Sequence, residues 1–170
     1  MAQVPVKRIL LDVNVLLDAI LERPAHADAA AKLWALAEAG EIEALVPAHG
    51  VTTLFYLLAR AKGAAAARRT VESIAGTFGI APVDGAVIRR ALGLGWPDFE
   101  DSVCAAAAEA SGCESLVSRD PAGFPDAPLP VLEPATATAL LTGGPDRVAE
   151  GAEGPRRRGR SRRPPRRQAR

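Results

Sequence analysis

Aromatic side chains are scarce here: four Phe, two Trp and one Tyr make up 4% of 170 residues. A core must therefore be assembled from Leu, Val, Ile and Ala, which favours helices packed closely on a sheet over an aromatic-rich β-sandwich. Cysteine is equally sparse. Cys104 and Cys113 are too few for a disulfide framework, and the two histidines, His26 and His49, supply no zinc-ligand set beside them. A reducing compartment, the cytoplasm, is expected. No apolar stretch reaches the roughly 20 residues that span a bilayer. The short apolar run after Lys7 and Arg8 is interrupted by Asp12, so neither a membrane segment nor a signal peptide is expected.

What is present is uneven. The length suits one domain, and the formal charge of +1 is a sum of opposites. Residues 1–143 hold 11 basic and 17 acidic residues, a net charge of −6, whereas residues 155–170 hold nine arginines and no acid. After Leu141 large apolar residues nearly vanish, starting at Gly143-Gly144-Pro145. A segment of that composition cannot bury enough surface to order itself. The expected organisation is a folded domain over 1–142 and a disordered, arginine-rich tail over 143–170. The tail reads equally as a polycation that attracts RNA phosphates and as a low-complexity extension without a role.

Within the domain, short apolar runs alternate with helical periodicity. Residues 7–11 (KRILL) read as a buried strand, and 13–22 continue at helical spacing until Pro24. A helix is expected over 28–39, capped by Gly40, then a strand over 43–47 and helices over 51–62 and 64–76. An extended piece at 80–83 leads to Asp84, the N-cap of a helix ending near Leu94. Asp98 starts the next helix, which runs through the Ala105–Ala108 block to about Ser111. Strands at 115–118 and 129–132 flank a Pro/Gly/Asp-rich loop, and 136–141 reads as a closing helix. The pattern predicts an α/β fold of three layers, a mostly parallel sheet of four to five short strands flanked by helices.

In such sheets function collects at the carboxyl ends of the strands. Asp12 directly follows KRILL, Asp120 follows the strand at 115–118, and Asp101 lies in the first turn of a helix that can face the same edge. Carboxylates brought together there repel one another, and a hard divalent cation with oxygen ligands is the usual remedy. Mg²⁺ or Mn²⁺ fits an all-oxygen donor set, and a metal-bound carboxylate cluster suits phosphodiester hydrolysis.

These residues carry a family resemblance. Leu10-Leu11-Asp12-Val13-Asn14-Val15-Leu16-Leu17-Asp18 resembles the opening of PIN domains, where an aspartate ends the first strand and a D-x-N pattern follows. Phe99-Glu100-Asp101-Ser102-Val103 is similar to the family's central acidic helix. Leu116-Val117-Ser118-Arg119-Asp120 and the Pro121-Ala122-Gly123-Phe124 after it resemble its strand ending in T-R-[D/N]-x-x-D-F. Order and spacing match over about residues 7–141. The resemblance implies a three-layer PIN-like fold and a metal-dependent ribonuclease of the VapC-like toxin kind. It further implies Asp12, Asp101 and Asp120 as catalytic metal ligands, an RNA substrate, a cognate antitoxin, and pairing into a homodimer through the third and fourth helices. Asn14, Asp98, Ser118 and Thr53 are the supporting candidates. Two positions depart from the family pattern. Thr53 stands where a glutamate is usual, and Gly123 where a further acid is common. A hydroxyl brings no charge, so weakened metal binding, and with it an inactive RNA- or partner-binding module, is the alternative.

Each residue has a plainer reading. Asp12 and Asp98 can cap helices, Asp120 can belong to an Asp-Pro turn, Asn14 can cap backbone, and Ser118 can simply end a strand. Asp18 and Glu100 read as surface or supporting groups, His26 and His49 as solvated or capping, and Cys104, Trp34 and Phe55 as packing residues. An aspartyl-nucleophile phosphohydrolase of the haloacid-dehalogenase type needs a second aspartate two residues after the first, and Asn14 occupies that position.

Overall fold

A computed structural model describes residues 7–143. Strand β1 (Lys7–Leu11) runs into α1 (Val13–Ile20), α2 (Ala27–Glu38), β2 (Ile42–Pro47), α3 (Ala48–Lys62), α4 (Ala64–Thr77) and β3 (Gly79–Ala81). The second half comprises α5 (Gly85–Leu94), α6 (Phe99–Ala110), β4 (Ser115–Val117), a 3₁₀ turn at Pro121–Gly123, β5 (Val131–Leu132) and α7 (Pro134–Thr142). The five strands form one sheet in the order β3-β2-β1-β4-β5, and every pairing is parallel. The sheet is thus wholly rather than mostly parallel.

Alternation along the strands builds two cores. Ile9 and Leu11 of β1, Ala44 and Val46 of β2 and Val117 of β4 join one apolar cluster with α1 to α4 and α7. Leu10, Leu45 and Leu116, one residue out of phase, join the other with α5 and α6. A period of two places successive side chains on opposite faces, so the central residues of these strands are apolar on both faces. Trp34 packs edge-on against Phe78 with ring centroids 4.9 Å apart. Cys104 is buried on α6, as a packing residue should be.

Boundaries differ from expectation for physical reasons. Helix α3 begins at Ala48, three residues before the expected start, and takes in Gly50, whose missing Cβ lets α1 pack close: a Cβ there would overlap Val13 Cγ2. Strand β3 stops at Ala81 because Pro82 has no N–H for the ladder. In β5 the Pro130 carbonyl still accepts from Leu116 N at 2.9 Å, but the strand proper is only Val131–Leu132. Helix α7 starts at Pro134, at the N-terminal position proline tolerates. Except for Gly143, the expected disordered tail lies outside the described residues, as do residues 1–6. Among the described residues no helix is long and apolar enough to cross a membrane.

The strand order fixes where a site can form. From β1 the chain moves outward through β2 to β3, then returns to lay β4 on the other side of β1. Ligands of open α/β sheets bind at this reversal, outside the carboxyl ends of the two central strands. Asp12 immediately follows β1, and Ser118 to Asp120 immediately follow β4.

Candidate active site

At the reversal the Asp12 N–H donates to Val117 O at 2.9 Å, which ties the two strand ends together. The Ser118 hydroxyl donates to Asp12 Oδ2 at 3.0 Å and accepts from the Asp120 N–H at 3.3 Å. Ser118 is thus a link between two of the three expected acids rather than only a strand end. The third acid comes from α6. Asp98 caps that helix by accepting from the N–H groups of Glu100 (2.9 Å) and Asp101 (3.2 Å), which fixes the first turn that carries Asp101. Asp101 and Asp120 meet at Gly123: a Cβ on that glycine would lie 2.9 Å from Asp101 Oδ2 and 3.7 Å from Asp120 Oδ2.

Asp12 and Asp101 also line a cavity of about 220 Å³ together with Asn14, Thr53, Asp98 and Glu100. All seven sequence-derived site residues therefore come to one region, five of them on this cavity and Ser118 and Asp120 beside it. Asp98 is both a helix cap and a wall of the pocket. Thr53 offers little: its hydroxyl donates along its own helix to His49 O at 3.4 Å.

His49, expected to be solvated or capping, instead lines the same cavity, with its Nε2 3.9 Å from Glu100 Oε1 and its Nδ1 buried without a hydrogen-bond partner among the described residues. The signal was available: His49 lies two residues beyond the carboxyl end of β2, the same kind of position that marked Asp12. Asp18, read as a surface or supporting group, is fully buried.

Electrostatics at the site are dominated by crowded negative charge. Burial raises the Asp101 carboxyl, and Asp98, Asp12, Glu100 and Asp120 push it further, to about 7. Burial also raises Asp12, while the Ser118 hydroxyl and the groups of Asn14 and Val13 pull it back. Burial lowers His49 against the opposing pull of Glu100 and Asp12, which favours its neutral form. Burial drives Cys104 well above its ordinary value, so the pocket floor offers a thiol and no thiolate. The donors are oxygens, and a set of mutually repelling carboxylates suits a hard divalent cation. Among the described residues, no three His, Cys, Asp or Glu side chains are grouped closely enough to be a ready ligand set.

A pH dependence follows from Asp101. Its folded-state value of about 7 lies above the ordinary 3.8, so between these the folded protein holds the proton more tightly than the unfolded chain does. The contribution to stability is greatest below about 4 and falls as pH rises through about 7. Thermal denaturation of metal-free protein from pH 4 to 8 is expected to show this decline, and Asp101→Asn to flatten it.

Parallel strands with carboxylates gathered at the switch point define a doubly wound α/β domain with an acidic centre. The chain belongs to the PIN domain family, whose family model matches residues 8–122. No match is found among curated proteins. Solved structures of the same fold include VapBC2 from Rickettsia felis bound to a promoter DNA fragment. That likeness has 16% identity and a TM-score of 0.59, over 74% of this chain and 98% of that one. A toxin–antitoxin complex from Klebsiella pneumoniae is 21% identical with a TM-score of 0.57, over 74% of this chain and 97% of that one. Mycobacterium tuberculosis VapC20, described as a sarcin-ricin loop cleaving toxin, is 17% identical with a TM-score of 0.53, over 64% and 86% respectively. At these identities the likeness is one of fold.

Proposed function

We propose that this chain is a metal-dependent endoribonuclease that hydrolyses phosphodiester bonds in RNA and acts as the toxin of a type II toxin–antitoxin pair. The observation that carries this reading is the placement of three carboxylates around the strand-order reversal, Asp12 and Asp101 on one cavity and Asp101 and Asp120 both against Gly123, with burial and then the acidic neighbours raising Asp101 to about 7. Asp12, Asp101 and Asp120 would hold Mg²⁺ or Mn²⁺, the carboxylates turning inward by side-chain rotation. When bound, such an ion supplies activation of water and neutralisation of charge on the scissile phosphate. The chain's own part is to orient. Ser118 holds one Asp12 oxygen, Asp98 fixes the turn that carries Asp101, and Asn14 and Thr53 complete the polar wall.

Family membership and toxin–antitoxin complexes of the same fold support the biological setting. The partners this reading implies are an RNA substrate, an antitoxin segment covering the acidic pocket, and a second copy of this chain. Helix α3 leaves Tyr56 59% exposed for such a copy. The nine arginines of 155–170 would add a salt-sensitive, sequence-blind attraction to phosphates. The test is incubation with single-stranded RNA. Internal cleavage with Mg²⁺ or Mn²⁺ that EDTA abolishes is expected, and cleavage indifferent to EDTA would overturn the reading.

Thr53 favours a second reading, a weakened or inactive module that binds RNA or a partner, because no charge stands where the family pattern has a glutamate. Calorimetry with Mn²⁺ separates the two. Tight binding lost in Asp120→Asn supports the nuclease, and no binding by the unaltered chain supports the module.

The absence of an acid at Gly123 makes its own prediction. Because a Cβ at Gly123 would press on Asp101 Oδ2, Gly123→Ala must turn that carboxylate away. Mn²⁺ affinity is expected to fall roughly tenfold, the scale of perturbing a group that orients a ligand. Thermal stability should barely change, since the displaced atom is the end of a flexible side chain. Calorimetry paired with a melting curve checks both.

A further inference from the structure

The one fully buried carboxylate among the described residues that the site does not use is Asp18 on α1. Its Oδ1 accepts from Arg23 Nη1 at 3.3 Å, and its Oδ2 lies 3.3 Å from Arg119 Nε. That Oδ2 and that Nε are both buried and have no hydrogen-bond partner among the described residues. What compensates each is the charge of the other. A buried carboxylate is tolerated only where such compensation exists.

Arg119 stands between two residues of the site. Ser118 reaches Asp12, Asp120 shares the space at Gly123 with Asp101, and Arg119 reaches instead to Asp18. Residues 118–120 leave β4 in a bend at Arg119, which the Ser118 hydroxyl closes by accepting from the Asp120 N–H at 3.3 Å. Fixing the side chain at the centre of so short a bend restrains both of its neighbours.

We propose that Asp18 is a positioning residue: by anchoring Arg119 at the centre of this bend, it holds Ser118 and Asp120 facing Asp12 and Asp101. Its importance for catalysis rests on the acidic centre being the nuclease site. The anchor has a second consequence. A guanidinium adjacent in sequence to Asp120 could otherwise pair with the acids and occupy the place of a cation, and Asp18 keeps it away. Arg23 is a matched comparison. It shares the Asp18 carboxylate, but it belongs to the α1–α2 connection, where its N–H donates to Asp18 O at 3.1 Å. Its guanidinium reaches Asp18 Oδ1, whereas Arg119 faces Oδ2.

The experiment is amide hydrogen exchange by NMR on the full-length, metal-free protein, comparing Arg119→Gln, Asp18→Asn and Arg23→Gln. Arg119→Gln and Asp18→Asn are expected to speed exchange of the Asp120 amide on the order of tenfold, a local opening. Arg23→Gln should leave that amide as it was. Arg119→Lys, which keeps the charge, should restore most of the protection. Should Asp18→Asn fail to fold, the two arginine variants decide, since both side chains are about a third exposed. Calorimetry with Mn²⁺ is expected to show affinity on the order of tenfold weaker in Arg119→Gln and unchanged in Arg23→Gln. Wild-type exchange in Arg119→Gln, or an equal increase in Arg23→Gln, would overturn the proposal. Absence of Mn²⁺ binding by the unaltered protein would overturn the nuclease reading instead, and the exchange comparison would still decide the role of Asp18.

Discussion

Asp12→Asn and Asp101→Asn are each expected to slow RNA cleavage by about a hundred- to a thousandfold, the scale of removing one preorganised electrostatic group from an active site. Each substitution keeps the shape of the side chain and removes its charge. Stability should move the other way. In metal-free protein burial and four neighbouring acids oppose the charge of the Asp101 carboxyl and raise it to about 7. Asparagine at that position relieves the repulsion, so Asp101→Asn is expected to melt higher than the unaltered chain while cleaving far less. The combination separates a chemical role from a structural one, since a variant that is inactive through misfolding melts lower. Cleavage rates and melting curves on the same samples check it.

Thr53→Glu is expected to act in the opposite sense. Thr53 lines the pocket from α3, and its weak contact with His49 O is the only hydrogen bond its side chain makes among the described residues. On the proposed metal site, a carboxylate there would add a charged ligand where a hydroxyl now stands. Mn²⁺ affinity should rise on the order of tenfold, about 1.4 kcal/mol, and cleavage should rise when metal is limiting. Without metal the same substitution adds another carboxylate to an already crowded set, so the metal-free protein should lose stability at neutral pH. Calorimetry and melting with and without Mn²⁺ measure both effects. Unchanged affinity would mean that Thr53 does not face the ion.

The architecture was legible because the strands are short apolar runs broken by strong signals. KRILL ends at a carboxylate, Gly40 and Gly95 adopt left-handed backbone at helix ends, and Asp84 and Asp98 accept from the first amides of their helices as capping residues should. Ends set by tertiary contact were not legible. Gly50 looks like a helix breaker until α1 is laid against it, and nothing local reveals that Val13 needs its missing side chain.

The site divides in the same way. Asp12 and Asp120 are marked by their place after strands, and Asp101 by the acidic first turn of α6. His49 satisfies the same strand-end rule, but a lone histidine gives no pattern to follow. Of the two readings of Asp18, surface or supporting, its burial removes the first. Its burial depends on Arg119, a hundred residues along the chain, whose approach only the β1–β4 pairing creates.

The most direct test is a crystal of this protein soaked in Mn²⁺ and measured for anomalous scattering. A manganese peak bounded by carboxylate oxygens of Asp12, Asp101 and Asp120 is expected, with Ser118 still holding Asp12. A fully occupied crystal with its peak elsewhere, or with none at the end of β1, would contradict the assignment of these three acids.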